Sequence, residues 1–91
     1  MSSKEKYSEE LLVEEEVIKQ NEIVLFNDDV NTFDWVIESL IDVCKHSSIQ
    51  AEQCTLLIHF KGKAGVQHGN KTKLQPMQDG LIDRGINASI N

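Results

Sequence analysis

The feature that most constrains this chain is an abrupt change from apolar to polar residues at position 27. Ile23 to Phe26 form an apolar run that is too short for an independent helix and is typical of a buried strand. The run stops at Asn27, Asp28 and Asp29, whose side chains favour turns. We therefore predict a strand that ends in a polar corner.

A helix is predicted directly after this corner. Asn31 is the predicted N-cap, with Asp34 three residues later as a short-armed version of the capping box. Apolar residues then recur at helical spacing, namely Phe33, Val36, Ile37, Leu40 and Cys44. Polar side chains thus sit where a strand passes into a helix, and rigid elements on both sides favour a binding role there.

The remaining sequence predicts two more helices and two more strands. Ser47 and Gln50 form a capping box that opens the second helix, and Gly62 ends it. Its apolar residues predict a largely buried helix; they are Ala51, Cys54, Thr55, Leu56, Leu57, Ile58 and Phe60. A strand is predicted over 63–70, a helix over 72–84 with Gly85 as its C-terminal cap, and a last strand over 86–90. This order predicts an α+β sandwich, a small sheet covered by helices.

Composition limits the class of protein. A chain of 91 residues is one domain with a modest core. Its net charge of −6 argues against nucleic acid or an anionic membrane as a partner. No apolar stretch approaches the roughly 20 residues of a membrane span, and no signal-type segment follows the start, so we expect a cytoplasmic protein. Cys44 and Cys54 are expected to be buried, reduced thiols.

The first 20 residues differ from the rest of the chain because they are rich in glutamate and poor in apolar residues. We predict a flexible acidic extension over 1–20 and a folded domain over 21–91. A solubilising tail without a further role is the simpler alternative.

Two segments resemble the ClpS family, the adaptors of the bacterial Clp protease. The first is Leu-Phe-Asn-Asp-Asp-Val-Asn-Thr-Phe, which ends at Phe33, and the second is Gln-Cys-Thr-Leu-Leu-Ile-His-Phe-Lys-Gly-Lys, which ends at Lys63. The resemblance covers about 23–90. It implies a fold like that of ClpS and of the ribosomal-stalk C-terminal domain, with a three-stranded antiparallel sheet and three helices. It also implies a protein that catalyses nothing and needs no cofactor.

The polar residues of both segments suit an ammonium ligand. An ammonium group has three N–H donors, so burying it requires about three acceptors, at least one of them anionic. On an extended backbone Asn27 and Asp29 would project to one side and Asp28 to the other. The resemblance implies that Asn27, Asp29 and His59 bind the free α-amino group of a substrate's first residue. It gives the positions of Asp28 and Asn31 a supporting role.

The resemblance also implies an apolar pocket for the side chain of that first residue. The matching positions are Phe33, Val36, Thr55, Ile58 and Ala88. Phe33 stands where the family usually has a flexible methionine, and Thr55 and Ala88 stand where methionine and leucine are common. The entrance of the pocket therefore gains bulk and its floor loses bulk. Lys73 is the expected contact with an unfoldase.

Taken together, these features predict an N-degron adaptor. It would bind proteins with a large hydrophobic or aromatic first residue and deliver them to a Clp AAA+ unfoldase of the ClpA or ClpC type, in the bacterial cytoplasm. One alternative is a protein-interaction module like the stalk domain. Another is an enzyme, with Asp29 and His59 as an acid/base pair or with Asp28, Asp29 and His59 as metal ligands. Without the resemblance, a plain turn and a histidine that complements a helix dipole would explain the same residues.

Overall fold

The computed structural model describes residues 20–91, which form a three-stranded sheet packed against three helices. In chain order the elements are β1 (Asn21–Phe26), α1 (Phe33–Cys44), α2 (Ser48–Lys61), β2 (Lys63–Gly69), α3 (Lys71–Asp83) and β3 (Ala88–Ile90). The predicted element order and the α+β class are confirmed. The acidic extension predicted over 1–20 lies outside the described residues except for Gln20.

Strand β1 is the centre of the sheet, with β2 and β3 antiparallel on either side. Ile23 pairs with Gln67 and Val24 with Gly65, so Val66 is an extra residue that forms a bulge in β2. The carbonyl of Val66 accepts a hydrogen bond from His46 Nε2 at 2.6 Å. This bond ties the connection between α1 and α2 to the bulge.

The core lies between the sheet and the helices. Ile23 and Leu25, which point to one side of β1, are fully buried, and α1 contributes Leu40 and Cys44. The other members of the core are Ala51, Ile58, Val66, Leu74, Leu81, Ile86 and Ala88. Among residues 20–91, no helix is both long enough and apolar enough to span a membrane.

Helix α1 begins one residue later than the predicted cap implies. Thr32 is the N-cap, and its hydroxyl accepts a hydrogen bond from Trp35 N at 3.1 Å. The prediction that Asn31 caps this helix was wrong because the Asn31 amide bonds elsewhere, to Asp28 and to Gly85 O. The predicted cap of α2 is confirmed, since Ser47 Oγ accepts from Gln50 N at 3.1 Å.

The prediction that α2 is largely buried was wrong. Only one of its faces packs against the core, through Ala51, Thr55 and Ile58. Leu57 and Phe60 are 47% and 76% exposed, because the small sheet and α1 cover one side of the helix and no other described element covers the opposite side. Cys44 is buried as predicted, whereas Cys54 is only partly buried, and both thiols are free.

The last helix and strand also differ in their limits from the prediction. Asn70 caps α3, accepting from Lys73 N at 2.9 Å, so the helix begins at Lys71. After its last turn Gly85 adopts a left-handed conformation, with φ of 81°. The amides of Gly85 and Ile86 donate to Ile82 O and Leu81 O, the pattern of a Schellman motif. Because Ile86 is used in this turn, β3 is shorter than predicted and begins only at Ala88.

Candidate binding site

A pocket of about 210 Å³ opens where the end of β1, the start of α1 and the end of α2 meet. This volume is below the roughly 300–1,000 Å³ of sites for drug-sized ligands. Nine residues line it: Asn27, Asp28, Asn31, Thr32, Phe33, Val36, Thr55, Ile58 and His59. The size and the lining suit one amino-acid side chain with a polar group beside it.

Apolar groups from two helices form one part of the lining. Val36 comes from α1, and Thr55 and Ile58 come from the buried face of α2. The Thr55 hydroxyl donates to Ala51 O at 2.8 Å, so its hydrogen is already engaged within the helix. The Thr55 hydroxyl therefore keeps its hydrogen-bond partner when a ligand buries an apolar side chain against this part of the pocket.

Aromatic rings stand at one side of the pocket. Phe33 meets His59 edge to face, with the ring centroids 5.7 Å apart and the planes at 78°. Phe60 meets the same imidazole at 5.0 Å and 76°. Edge-to-face contacts favour one ring orientation, so His59 is held from two directions. Within residues 20–91 the His59 ring makes no hydrogen bond, which leaves its nitrogens open to a ligand.

The Asp28 carboxylate organises the polar corner. Its Oδ1 accepts from Val30 N at 2.9 Å and from Asn31 N at 2.8 Å, and its Oδ2 accepts from Asn31 Nδ2 at 2.8 Å. The hydrogen bonds from the backbone and side chain of Asn31, aided by that of Val30, hold the pKa of Asp28 below its usual range. Asp28 is therefore a fixed negative charge in the pocket lining.

The structure brings most of the predicted site residues together. Eight of them line the one pocket: Asn27, Asp28, Asn31, Phe33, Val36, Thr55, Ile58 and His59. The two sequence segments that carry the family resemblance therefore meet in space. Thr32 also lines the pocket and was not predicted to do so; its value as an N-cap residue was the only signal in the sequence.

Three predicted site residues lie elsewhere. Asp29 is exposed at the corner and does not line the pocket, whereas Asp28 does. The alternation expected of an extended strand does not reach these residues because β1 ends at Phe26. Ala88 is buried in the core, where it pairs with Leu25. Lys73 lies on α3, and its Nζ is 3.3 Å from His68 O.

A second, much smaller cavity of about 20 Å³ adjoins the corner, and besides corner residues its lining includes Leu25, Phe26, Val36, Ile58 and Ile86. The apolar residues of the predicted last strand were the only sequence signal for Ile86. Among residues 20–91, no three His, Cys, Asp or Glu side chains come together as a metal site.

The structure is a small α+β domain with a pocket beside a polar corner. The family model described as ATP-dependent Clp protease adaptor protein ClpS matches residues 18–86. The chain therefore belongs to the ClpS family, a family of adaptors of the Clp protease.

Two known proteins are similar to this chain. The ATP-dependent Clp protease adapter protein ClpS of Acetivibrio thermocellus is 36% identical over 66 residues, which is 72% of this chain and 67% of that protein. The structure of Agrobacterium tumefaciens ClpS2 bound to L-phenylalaninamide is similar in fold, with a TM-score of 0.64 at 21% identity. That similarity covers 81% of this chain and 99% of the other.

Proposed function

We propose that this protein binds substrate proteins by their free N-terminal α-amino group and their first side chain, and delivers them to a Clp AAA+ unfoldase. The observation that carries the proposal is the meeting of Asn27 and His59 beside an apolar pocket that suits a single side chain. These residues come from distant parts of the chain, and both line the same pocket. In an N-terminal residue the ammonium group and the side chain are attached to the same carbon atom, whereas the ammonium of a lysine lies at the end of a flexible side chain.

The amino-group half of the proposed site consists of acceptors and negative charge. The side-chain oxygen of Asn27 and a neutral nitrogen of His59 can each accept one N–H of an ammonium. Asp28 contributes a fixed carboxylate in the lining, and the exposed Asp29 adds a second one at the same corner. The resemblance assigns direct contact to Asp29, whereas position in the pocket favours Asp28. Single substitutions of each can separate these roles.

The side-chain half provides most of the affinity. Burying a leucine or phenylalanine side chain is worth about 1.5–3 kcal/mol, whereas an exposed ion pair adds about 0–1 kcal/mol. L-phenylalaninamide, the ligand of the similar A. tumefaciens structure, carries a free α-amino group and a benzyl side chain. A ligand of that chemistry matches both halves of the pocket. The resulting affinity is modest, as release to a second protein requires.

The proposed partner is an unfoldase of the ClpA or ClpC type in the bacterial cytoplasm. Lys73, exposed at the start of α3, is the proposed contact residue on the folded domain. The acidic segment 1–20 is proposed to act in delivery and not in substrate binding. Deleting it should leave peptide affinity unchanged and alter degradation by the unfoldase and its protease. Loss of peptide binding on deletion would assign the segment to the substrate site.

A titration by fluorescence anisotropy tests the proposed function. Labelled peptides that begin with Phe, Leu, Ile or Ala are compared, each with a free and with an acetylated amine. We expect measurable binding only for a free amine followed by a large apolar side chain. Asp34→Ala is the matched control for substitutions of the corner carboxylates, since Asp34 is exposed and lies outside the pocket lining. Equal binding of free and acetylated peptides would contradict the proposal.

A further inference from the structure

The polar corner is held at both of its ends by elements distant in sequence. At its start, Asn27 N donates to Gly62 O at 2.9 Å, just after the end of α2. At its end, Asn31 Nδ2 donates both to Asp28 Oδ2 at 2.8 Å and to Gly85 O at 2.9 Å. The geometry of the proposed amino-group site thus depends on the turn that follows α3.

Trp35 makes a second connection to the same turn. Its Nε1 donates to Arg84 O at 3.0 Å, next to the carbonyl that Asn31 binds. Both carbonyls lie beyond the last residue of α3, in the Schellman turn that the left-handed Gly85 completes. The consecutive carbonyls of Arg84 and Gly85 therefore each accept a hydrogen bond, the first from Trp35 in the first turn of α1 and the second from Asn31 in the corner.

The side chain of Arg84 fixes the indole from another direction. The guanidinium carbon lies 5.3 Å from the Trp35 ring centroid, within the range of a cation–π contact. The same guanidinium is 3.3 Å from Asp42 Oδ2 and 3.4 Å from Ser39 Oγ. Trp35 is therefore held at its ring and at its N–H, although it lines neither cavity.

We infer that Trp35 and the Arg84–Gly85 turn are positioning residues for the amino-group site. They hold Asn31, and through it the Asp28 carboxylate, in one place before a peptide arrives. Such preorganisation raises affinity because the corner does not have to be ordered on binding. The inference rests on the proposed function, since it concerns the same site.

Trp35→Phe tests this role, because it removes the N–H donor and keeps an aromatic ring beside Arg84. We expect about three- to tenfold weaker binding of a peptide with a free amine and Leu first, the scale of one lost hydrogen bond. The preference for Leu over Ala should stay unchanged, because the apolar lining is untouched. Asp34→Ala is the matched control: it changes an exposed residue of the same helical turn, leaves the contacts of Trp35, Arg84 and Asn31 in place, and should not alter affinity.

A measurement on the unmodified protein keeps the inference testable if Trp35→Phe does not fold. The chain has one tryptophan, so its indole N–H gives a single resonance in an ¹⁵N–¹H spectrum. Because this N–H is bonded to Arg84 O before a peptide arrives, it should already exchange slowly with solvent in the peptide-free protein.

The possible failures are distinguishable. If the unmodified protein binds neither peptide, the proposed function fails and the inference fails with it. If it binds the free-amine peptide, while Trp35→Phe binds equally well or the indole N–H of the peptide-free protein exchanges rapidly, only the positioning role is overturned.

Discussion

Phe33 and His59 meet edge to face with ring centroids 5.7 Å apart, although one begins α1 and the other lies in the last turn of α2. Phe33 belongs to the side-chain half of the proposed site and His59 to its amino-group half. The contact therefore joins the two halves, so that a change in one ring is expected to reach the other.

Phe33 should make the pocket sensitive to branching in the first side chain. A β-branched side chain carries its bulk next to the backbone, where it meets the rigid ring, whereas Leu and Phe place their bulk deeper. We expect peptides beginning with Leu or Phe to bind at least about tenfold better than those beginning with Ile, a difference of about 1.4 kcal/mol. Phe33→Met should reduce this difference. Phe60→Met also alters a ring that contacts His59 but lies outside the pocket lining, and should leave the ratio unchanged.

The two corner carboxylates should respond differently to substitution. Asp29 is exposed, so Asp29→Ala should leave the free energy of unfolding unchanged and, if it contacts the ammonium, weaken binding of free-amine peptides by up to about fivefold, the scale of an exposed ion pair. Asp28→Asn should lower both stability and affinity, because its amide would face the donors of Asn31. Anisotropy titrations and urea unfolding measure the two effects. Unchanged affinity in Asp29→Ala would indicate that Asp28, and not Asp29, contacts the ammonium.

The corner should also lose stability in acid. Because the folded pKa of Asp28 is lowered, its ionised form stabilises the fold above the ordinary aspartate pKa of about 3.9. That contribution disappears as the pH falls through the lowered folded pKa. Urea unfolding between about pH 5 and pH 2.5 should therefore show that the free energy of unfolding falls more steeply in the unmodified protein than in Asp28→Asn. Parallel curves would show that the Asn31 hydrogen bonds do not favour the ionised form.

Binding itself should weaken in mild acid because His59 is proposed to act as an acceptor. A neutral imidazole presents a lone pair to the ammonium, whereas imidazolium presents only donors and a like charge. Affinity for a free-amine peptide should therefore fall as the pH is lowered and the imidazole becomes protonated. His68→Gln, which removes an exposed histidine that pairs with Glu22, should show the same fall. A flat profile with the fold intact by circular dichroism would exclude His59 as a direct acceptor.

The two thiols should be poorly reactive and unequal. Burial, together with the neighbouring Cys54, raises the pKa of Cys44 to about 11, and burial also raises the pKa of Cys54. Since the thiolate is the reactive form, alkylation of the folded protein near neutral pH should be slow, with Cys54 modified before Cys44. Mass spectrometry after iodoacetamide treatment, with and without denaturant, measures this order. Faster labelling of Cys44 would show that its helix opens locally.

The fold was predictable from local patterns, whereas details of the corner were not. Apolar spacing and turn residues sufficed for the order of strands and helices. Asn31 and Thr32 are both good N-cap residues. What leaves the cap to Thr32 is a hydrogen bond from the Asn31 side chain to Gly85, 54 residues away, which local sequence does not reveal. Similarly, the apolar content of α2 does not show which of its faces the small sheet covers, so the exposure of Leu57 and Phe60 was missed.

The residues of the pocket were predictable mainly through family resemblance. Spacing alone placed Asn27 and Asp29 on one side and Asp28 on the other, because it assumed that the strand continues beyond Phe26. The structure instead has Asp28 in the lining, where hydrogen bonds from Val30 and Asn31 turn the chain. Contacts of this kind follow from the three-dimensional path of the chain and leave no periodic signal.

The bulge at Val66 bears on how an adaptor avoids indiscriminate pairing with unfolded chains. Strand β2 lies at the edge of the sheet, and a regular edge is a template for any extended polypeptide. Here the extra residue breaks the regular row of donors and acceptors, and His46 already occupies the Val66 carbonyl. This edge of the sheet is thereby a poor template for an unfolded chain, so pairing there does not bypass the proposed selection of substrates by the pocket.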